Sequence, residues 1–177
     1  MSVPRQTRTS AGGFTLLELM VALLLFSILL SALYGFLESG LAMGRRAQDK
    51  AEVEENLRIG MNRLTRELRE ADSIVSFTPG FGGRLTFYIQ PDPDNSSLKN
   101  KIGYHCSISG DNERAYQLIR SVNGAGNNPV ARYINTISVE PANCGPDTRL
   151  LTITLTGEKG LSGKVTLTST VLLRKKN

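Results

Sequence analysis

An apolar run from Phe14 to Leu37 with one carboxylate inside it, Glu18, constrains this chain more than any other feature. As a helix rising 1.5 Å per residue it would be about 36 Å long, slightly more than the hydrocarbon core of a bilayer. The segment before it, Met1 to Gly13, is short and polar, contains no acid, and is basic through Arg5 and Arg8. Basic residues ahead of an apolar span, with none inside it, predict a cytoplasmic N-terminus and a chain that lies mostly on the outer side of the membrane. An ordinary secretory signal fits poorly, because its apolar core of about 7–15 residues precedes a small-x-small cleavage site. Here the run is too long, and Ser31-Ala32 and Ser39-Gly40 offer weak sites. No cysteine follows the run to suggest a lipoprotein.

Glu18 is the anomaly in the span. A lone carboxylate in an apolar helix costs about 2.5–3.5 kcal/mol on insertion scales, which makes it a functional hypothesis by default. One partner would come from processing. A cut between Gly13 and Phe14 creates an α-amino group one helical turn before Glu18, able to neutralise a carboxylate on its own helix or on a neighbouring chain. The helix dipole also favours an acid near a helix N-terminus. The plainer alternative is that Glu18 snorkels to the headgroups.

Gly13-Phe14-Thr15-Leu16-Leu17-Glu18, behind a basic leader and ahead of a long apolar span, resembles the prepilin motif of type IV pilins and pseudopilins. In that family a membrane aspartyl peptidase cleaves after the glycine and N-methylates the exposed phenylalanine. The glutamate supports methylation and registers each subunit against the previous one. The resemblance therefore implies Gly13 as the cleavage residue, Phe14 as the methylated residue and Glu18 as the registering acid. It further implies the peptidase, the inner membrane and other pilin-like subunits as partners, and a filament as the destination. Glycine suits the position before a cut, because a residue without a side chain lets extended backbone enter a cleft.

Beyond Glu38-Ser39-Gly40 the composition becomes charged. Val53, Leu57, Met61, Leu64, Leu68, Ala71 and Val75 recur at spacings of three and four, one apolar stripe at helical period. Glu54–Arg58 and Arg66–Glu70 are i, i+4 pairs. Gly35, Gly40, Gly44 and Gly60 are positions where the helix could bend or loosen. The pattern predicts one helix from about Phe14 to about Ala71. From Ser73 short β-like runs follow, at 74–77, 84–89, 102–108, 115–122, 131–139, 150–156 and 164–174. Turns are signalled by Pro79-Gly80, Gly82-Gly83, Asp92 to Asn95, Gly124 to Pro129 and Gly145-Pro146-Asp147. The Thr-rich alternation of Leu151 to Thr156 and of Val165 to Thr168 suits an antiparallel sheet with one wet face.

The expected fold is thus α+β, a long N-terminal helix packed on an antiparallel sheet. Its parts are a cleaved leader 1–13, a transmembrane helix 14–37, its amphipathic extension 38–72 and an extracytoplasmic β domain 73–177. The stretch from Met61 to Ala71 and the later order of Arg84 to Ile89, Ile102-Gly103-Tyr104, Tyr116 to Arg120 and Val171 to Arg174 resemble J-type secretion pseudopilins and W-type minor pilins. That likeness implies a minor subunit that primes or tips a filament.

Cys106 and Cys144 are the only cysteines, and neither lies in a CxxC pair. In an oxidising compartment a disulfide is the natural reading; two unpaired thiols are the alternative. Such a bridge would stabilise the domain by roughly 3–4 kcal/mol in the chain-entropy model. No enzyme motif is present: there is no GxSxG, phosphate-binding glycine loop or HExxH. His105, the single histidine, adjoins Cys106, and neighbours on a strand face opposite sides, so a Cys–His nucleophile is poorly built. Asp92, Asp94 and Asn95 could offer oxygens to calcium, but the EF-hand spacing is absent and a turn explains them better. Asn95-Ser96-Ser97 fits a glycosylation sequon, and Arg174-Lys175-Lys176 reads as a solvated tail. The net charge of +5 falls to +3 if Arg5 and Arg8 leave with the leader, too little to predict a nucleic-acid groove. No cofactor, metal or small-molecule substrate is expected. A second reading, of a different class, is a binding module on a permanent signal anchor, including one serving DNA uptake.

Overall fold

The computed structural model describes residues 13–90, 99–110 and 114–173. Within them one helix, α1 (Leu16–Arg69), precedes eight strands. These are β1 (Ala71–Thr78), β2 (Arg84–Ile89), β3 (Asn100–Ile108), β4 (Tyr116–Val122), β5 (Ala125–Arg132), β6 (Ile134–Glu140), β7 (Leu150–Gly157) and β8 (Val165–Leu172). The chain divides into two compact units, Met1–Met43 and Gly44–Asn177.

In the first unit α1 is long and apolar enough to cross a membrane, judged by length and composition. Its leucine, isoleucine, valine and phenylalanine side chains are exposed. The two serines of the span do not leave free hydroxyl donors. Ser27 Oγ donates to the Leu24 carbonyl (2.7 Å) and Ser31 Oγ to the Ser27 carbonyl (2.9 Å), which suits a hydrocarbon environment.

In the second unit the helix buries its stripe. Val53, Leu57, Met61, Leu64 and Leu68 are almost fully covered, each burial worth roughly 1.5–3 kcal/mol. Gly60 shares that face and sets its closeness. A Cβ there would lie 2.9 Å from Ile134 Cδ1 and 3.0 Å from Leu118 Cδ2. So Gly60 is a contact point for the strands, and α1 runs unbroken through it. The last two residues assigned to the stripe, Ala71 and Val75, fall on β1 instead. The helix ends at Arg69, and the β-branched Ile74-Val75 pair extends the chain.

The strands form two antiparallel sheets in place of the single expected one. One runs β1-β2-β3-β4-β5 and the other β6-β7-β8. The core-facing side of the first carries Ile74, Leu85, Phe87, Ile102, Tyr104 and Leu118, with the Phe87 and Tyr104 rings stacked at 6.1 Å. The second contributes Ile137, Val139, Leu151, Ile153 and Leu155. The expected strand 131–139 breaks at Tyr133, whose φ of 61° turns the backbone from one sheet into the other. Its N–H donates to the Tyr116 carbonyl (2.6 Å) and its carbonyl accepts from Glu158 N–H (3.0 Å). The expected turn from Gly124 to Pro129 is largely β5 itself. Only Asn123-Gly124 turns, with φ of 53° and 77°, the Asn-Gly signature of a two-residue hairpin between Val122 and Ala125.

Polar ties fix the helix to the strands. Arg120 Nε on β4 donates to both oxygens of Glu67 at 2.9 Å. This draws Glu67 toward Arg63 as well (3.5 Å), so the helical ion pair that forms is Arg63–Glu67 rather than Glu54–Arg58 or Arg66–Glu70. Asn56 Oδ1 accepts from Arg132 N–H (2.9 Å), a donor near the end of β5. Lys159, in the β7–β8 loop, binds Asp49 (3.5 Å) and Glu52, and the Leu161 N–H also reaches Asp49 (3.3 Å).

The two sheets meet where Ile137 N–H donates to the Gly82 carbonyl (3.0 Å). Beside it Gly83 has φ +68°, and a Cβ would fall on the Ile137 carbonyl oxygen. Gly83→Ala is therefore expected to destabilise the protein by about 2–4 kcal/mol, from left-handed backbone strain and a clash with backbone that cannot yield. Gly110→Ala, where a Cβ meets nothing within 4 Å, should stay within about 0.5 kcal/mol. Denaturant midpoints of both variants check this.

Candidate functional site

The junction at the start of α1 is built from backbone first. Gly13, Phe14 and Thr15 are non-helical, and the helix begins at Leu16. Phe14 is 87% exposed, so the Gly13–Phe14 peptide bond stands outside the hydrogen-bonded ladder, where a peptidase can reach it. A Cβ placed on Gly13 meets nothing within 4 Å, so the fold itself makes no demand for glycine there.

Thr15 closes the helix end. Its Oγ1 accepts a hydrogen bond from Glu18 N–H (3.2 Å), and its carbonyl accepts from Leu19 N–H (3.1 Å). Thr15 is thus the N-cap and Glu18 the third helical residue, in the T-x-x-E order of a capping box. This role was not drawn from the sequence, although the spacing of Thr15 and Glu18 was the signal for it. The placement matters chemically. Glu18 lies in the first turn, where the unpaired N–H groups carry partial positive charge. Among the described residues no side chain pairs with its carboxylate. An amine at Phe14 would bring a full positive charge to the same helix end.

The cysteines sit elsewhere, in the second unit. Both Cys106 and Cys144 are buried free thiols, so the expected bridge is not formed. Cys106 lies on β3, whereas Cys144 contacts the backbone of Phe77 on β1. The intervening β2 keeps β1 and β3 about 9–10 Å apart, beyond the Cα separation of a disulfide. Burial pushes the Cys106 thiol from 9.0 up to about 12 and raises Cys144 as well. His105, next along β3, is pulled below its usual value by burial and then by Arg84. With Cys106 on the core face, His105 faces the other side of the sheet.

The Glu67–Arg120 pair has Tyr104 beside it. Burial, and then the Glu67 charge, push the Tyr104 phenol well above its ordinary range. Such a neutral phenol against a shielded ion pair is a structural arrangement, with the helix and β3–β4 as its two sides. No cluster of three or more His, Cys, Asp or Glu suited to a metal exists among the described residues. Asp92, Asp94, Asn95, the sequon, Arg174-Lys175-Lys176 and the basic leader with Arg5 and Arg8 lie outside the described residues.

Residues 8–34 match the family described as the prokaryotic N-terminal methylation motif, a span that takes in Gly13, Phe14, Thr15 and Glu18. No curated protein and no solved structure matches the chain.

Two outcomes follow from this geometry. Thr15→Ala should cost about 1 kcal/mol of local helix stability, read as faster hydrogen exchange at the Glu18 and Leu19 amides with the second unit unchanged. Cys106 should resist iodoacetamide at pH 8 in the folded chain and react once unfolded. The sign with pH is set by burial. The unfolded thiol loses its proton near its ordinary value while the folded one keeps it. Stability should therefore fall as pH rises from about 9 toward about 12, and Cys106→Ala should flatten that fall.

Proposed function

We propose that this chain is made as a prepilin-like precursor, cut after Gly13, methylated on Phe14, and assembled as a subunit of a type IV pilus-like or secretion pseudopilus filament. One observation carries this reading: the methylation motif over residues 8–34 coincides with an exposed, non-helical Gly13–Phe14 bond directly ahead of a capped apolar helix. The role is structural rather than enzymatic. The subunit is stored in the bacterial inner membrane by a single span, N-terminus inside, with the β domain outside.

Assembly follows from the exposure of the helix. Bare apolar side chains of α1 are stable only when lipid or other apolar helices cover them. Moving the helix from lipid into a bundle of neighbouring helices therefore costs little hydrophobic free energy. Glu18 is the exception, because its charge needs a partner in the dry bundle. The methylated amine of an adjacent subunit supplies one, and that pairing sets the axial step. The diffuse likeness to J-type pseudopilins and W-type minor pilins favours a minor subunit that primes or tips the filament. Its partners are other pilin-like subunits and the processing peptidase, without a small-molecule substrate or nucleic acid.

Intact-mass measurement of the membrane-bound protein tests the processing. A mass matching residues 14–177 plus one methyl group is expected, and a full-length mass would sink the proposal in favour of a permanently anchored binding module. Gly13→Val should leave precursor-length protein, and because the fold tolerates a side chain there the effect would lie with the peptidase. Glu18→Ala should insert normally yet lower incorporation into filaments by roughly tenfold, as expected for losing an ion pair in a low-dielectric interior. Normal yield from that variant would remove Glu18 from the registry role.

A further inference from the structure

Strand β8 is an outermost strand of the second sheet and pairs only with β7. Their ladder runs through eight consecutive pairs, Leu150↔Leu172 to Gly157↔Val165, without the bulge that interrupts β1–β2, β4–β5 and β6–β7. The free side of β8 therefore offers a straight row of backbone donors and acceptors. Proteins usually blunt such an edge with a charge, a proline or a bulge. The strand itself, Val-Thr-Leu-Thr-Ser-Thr-Val-Leu, carries none of these.

The core beneath the edge is also short of cover. Leu151, Ile153 and Leu155 on β7 are fully buried. Their neighbours on the same face of β8, Ser169, Leu167 and Val165, are only half-buried. Between β8 and the helix runs a groove of about 140 Å³, lined by Glu54, Leu57, Arg58, Val165, Thr166 and Leu167. One more strand beside β8 would cover Val165 and Leu167 and place alternate side chains in that groove.

Charge selects the occupant. The sequence puts Lys164 directly before β8 and Arg174, Lys175 and Lys176 shortly after it. A second copy of this chain would set basic residues against basic residues in either strand direction. We propose that β8 is a strand-acceptor edge for a different polypeptide: an extended, uncharged, β-branched segment with carboxylates at both ends. Main-chain hydrogen bonds would supply the affinity and the flanking carboxylates the selectivity.

The probe is a fluorescent peptide, Glu-Glu-Val-Thr-Val-Thr-Val-Thr-Glu-Glu, titrated by anisotropy against the full chain in detergent micelles. Saturable binding is expected, with slowed hydrogen exchange across residues 165–172. Replacing the terminal glutamates by lysines should weaken it by about tenfold, and N-methylation of alternate amides on the bonding side should abolish it. Ser169→Lys, an inward charge on the edge, should weaken binding by about tenfold, while Thr168→Lys, on the water-facing side, should not weaken it. The N-methyl comparison uses the unaltered protein and so stands even if a variant folds poorly. Absence of saturable binding would overturn the proposal, as would equal binding of the N-methylated peptide. So would a dimer of this chain, sensitive to Ser169→Lys, that excludes the peptide.

Discussion

The second unit depends on how closely one helix can approach two sheets. Val53, Leu57, Met61, Leu64 and Leu68 form a stripe narrow enough to be covered completely. Gly60 removes the one side chain that would hold Leu118 and Ile134 away. Leu118 belongs to the first sheet and Ile134 to the second. A single missing Cβ thus lets both sheets share the same helical face. The polar ties at Glu67–Arg120, Asn56–Arg132 and Lys159–Asp49 surround that contact and orient it. Because Glu67 and Arg120 are largely shielded, removing either one alone would strand a charge, so the pair enforces its own geometry more than it adds net stability.

The first unit obeys the opposite rule. Its apolar side chains have no partner within the chain, so its stable environment is supplied from outside. Two features make the helix fit such an environment: serine hydroxyls that bond back to their own carbonyls, and a threonine cap that defines where the helix starts. The cap also separates the functions of neighbouring residues. Phe14 stays out of the helix, and Glu18 sits in the first turn, where an acid is electrostatically favoured.

The helix and its buried stripe were legible because period 3.6 repeats over many residues and ends abruptly at Ile74-Val75. The candidate junction was legible because a charge in an apolar run is expensive and so conspicuous. What escaped the sequence was governed by single backbone angles and by distant neighbours. Tyr133 looks like the middle of one strand from 131 to 139, and only its positive φ separates β5 from β6. Asn123-Gly124 carried a hairpin signal, but the polar Asn127-Asn128-Pro129 that follows obscured a strand. The pairing of Cys106 and Cys144 depended on how many strands lie between them, which neither spacing nor compartment specifies. The Glu67 partner on β4 is likewise set by the fold, since i, i+4 counting sees only its own helix.

Tyr133 joins three parts of the second unit that are otherwise separate. Its N–H is held by β4 through Tyr116, its carbonyl by Glu158 after β7, and its ring lies under Lys159 (5.1 Å), which grips the helix at Asp49. The two sheets have separate hydrogen-bond ladders and would be free to open one at a time. This residue couples them, because prising away the β7–β8 loop also unlatches the end of β5 and the helix. The second unit should therefore melt as one cooperative body, with no partly folded form in which one sheet persists alone.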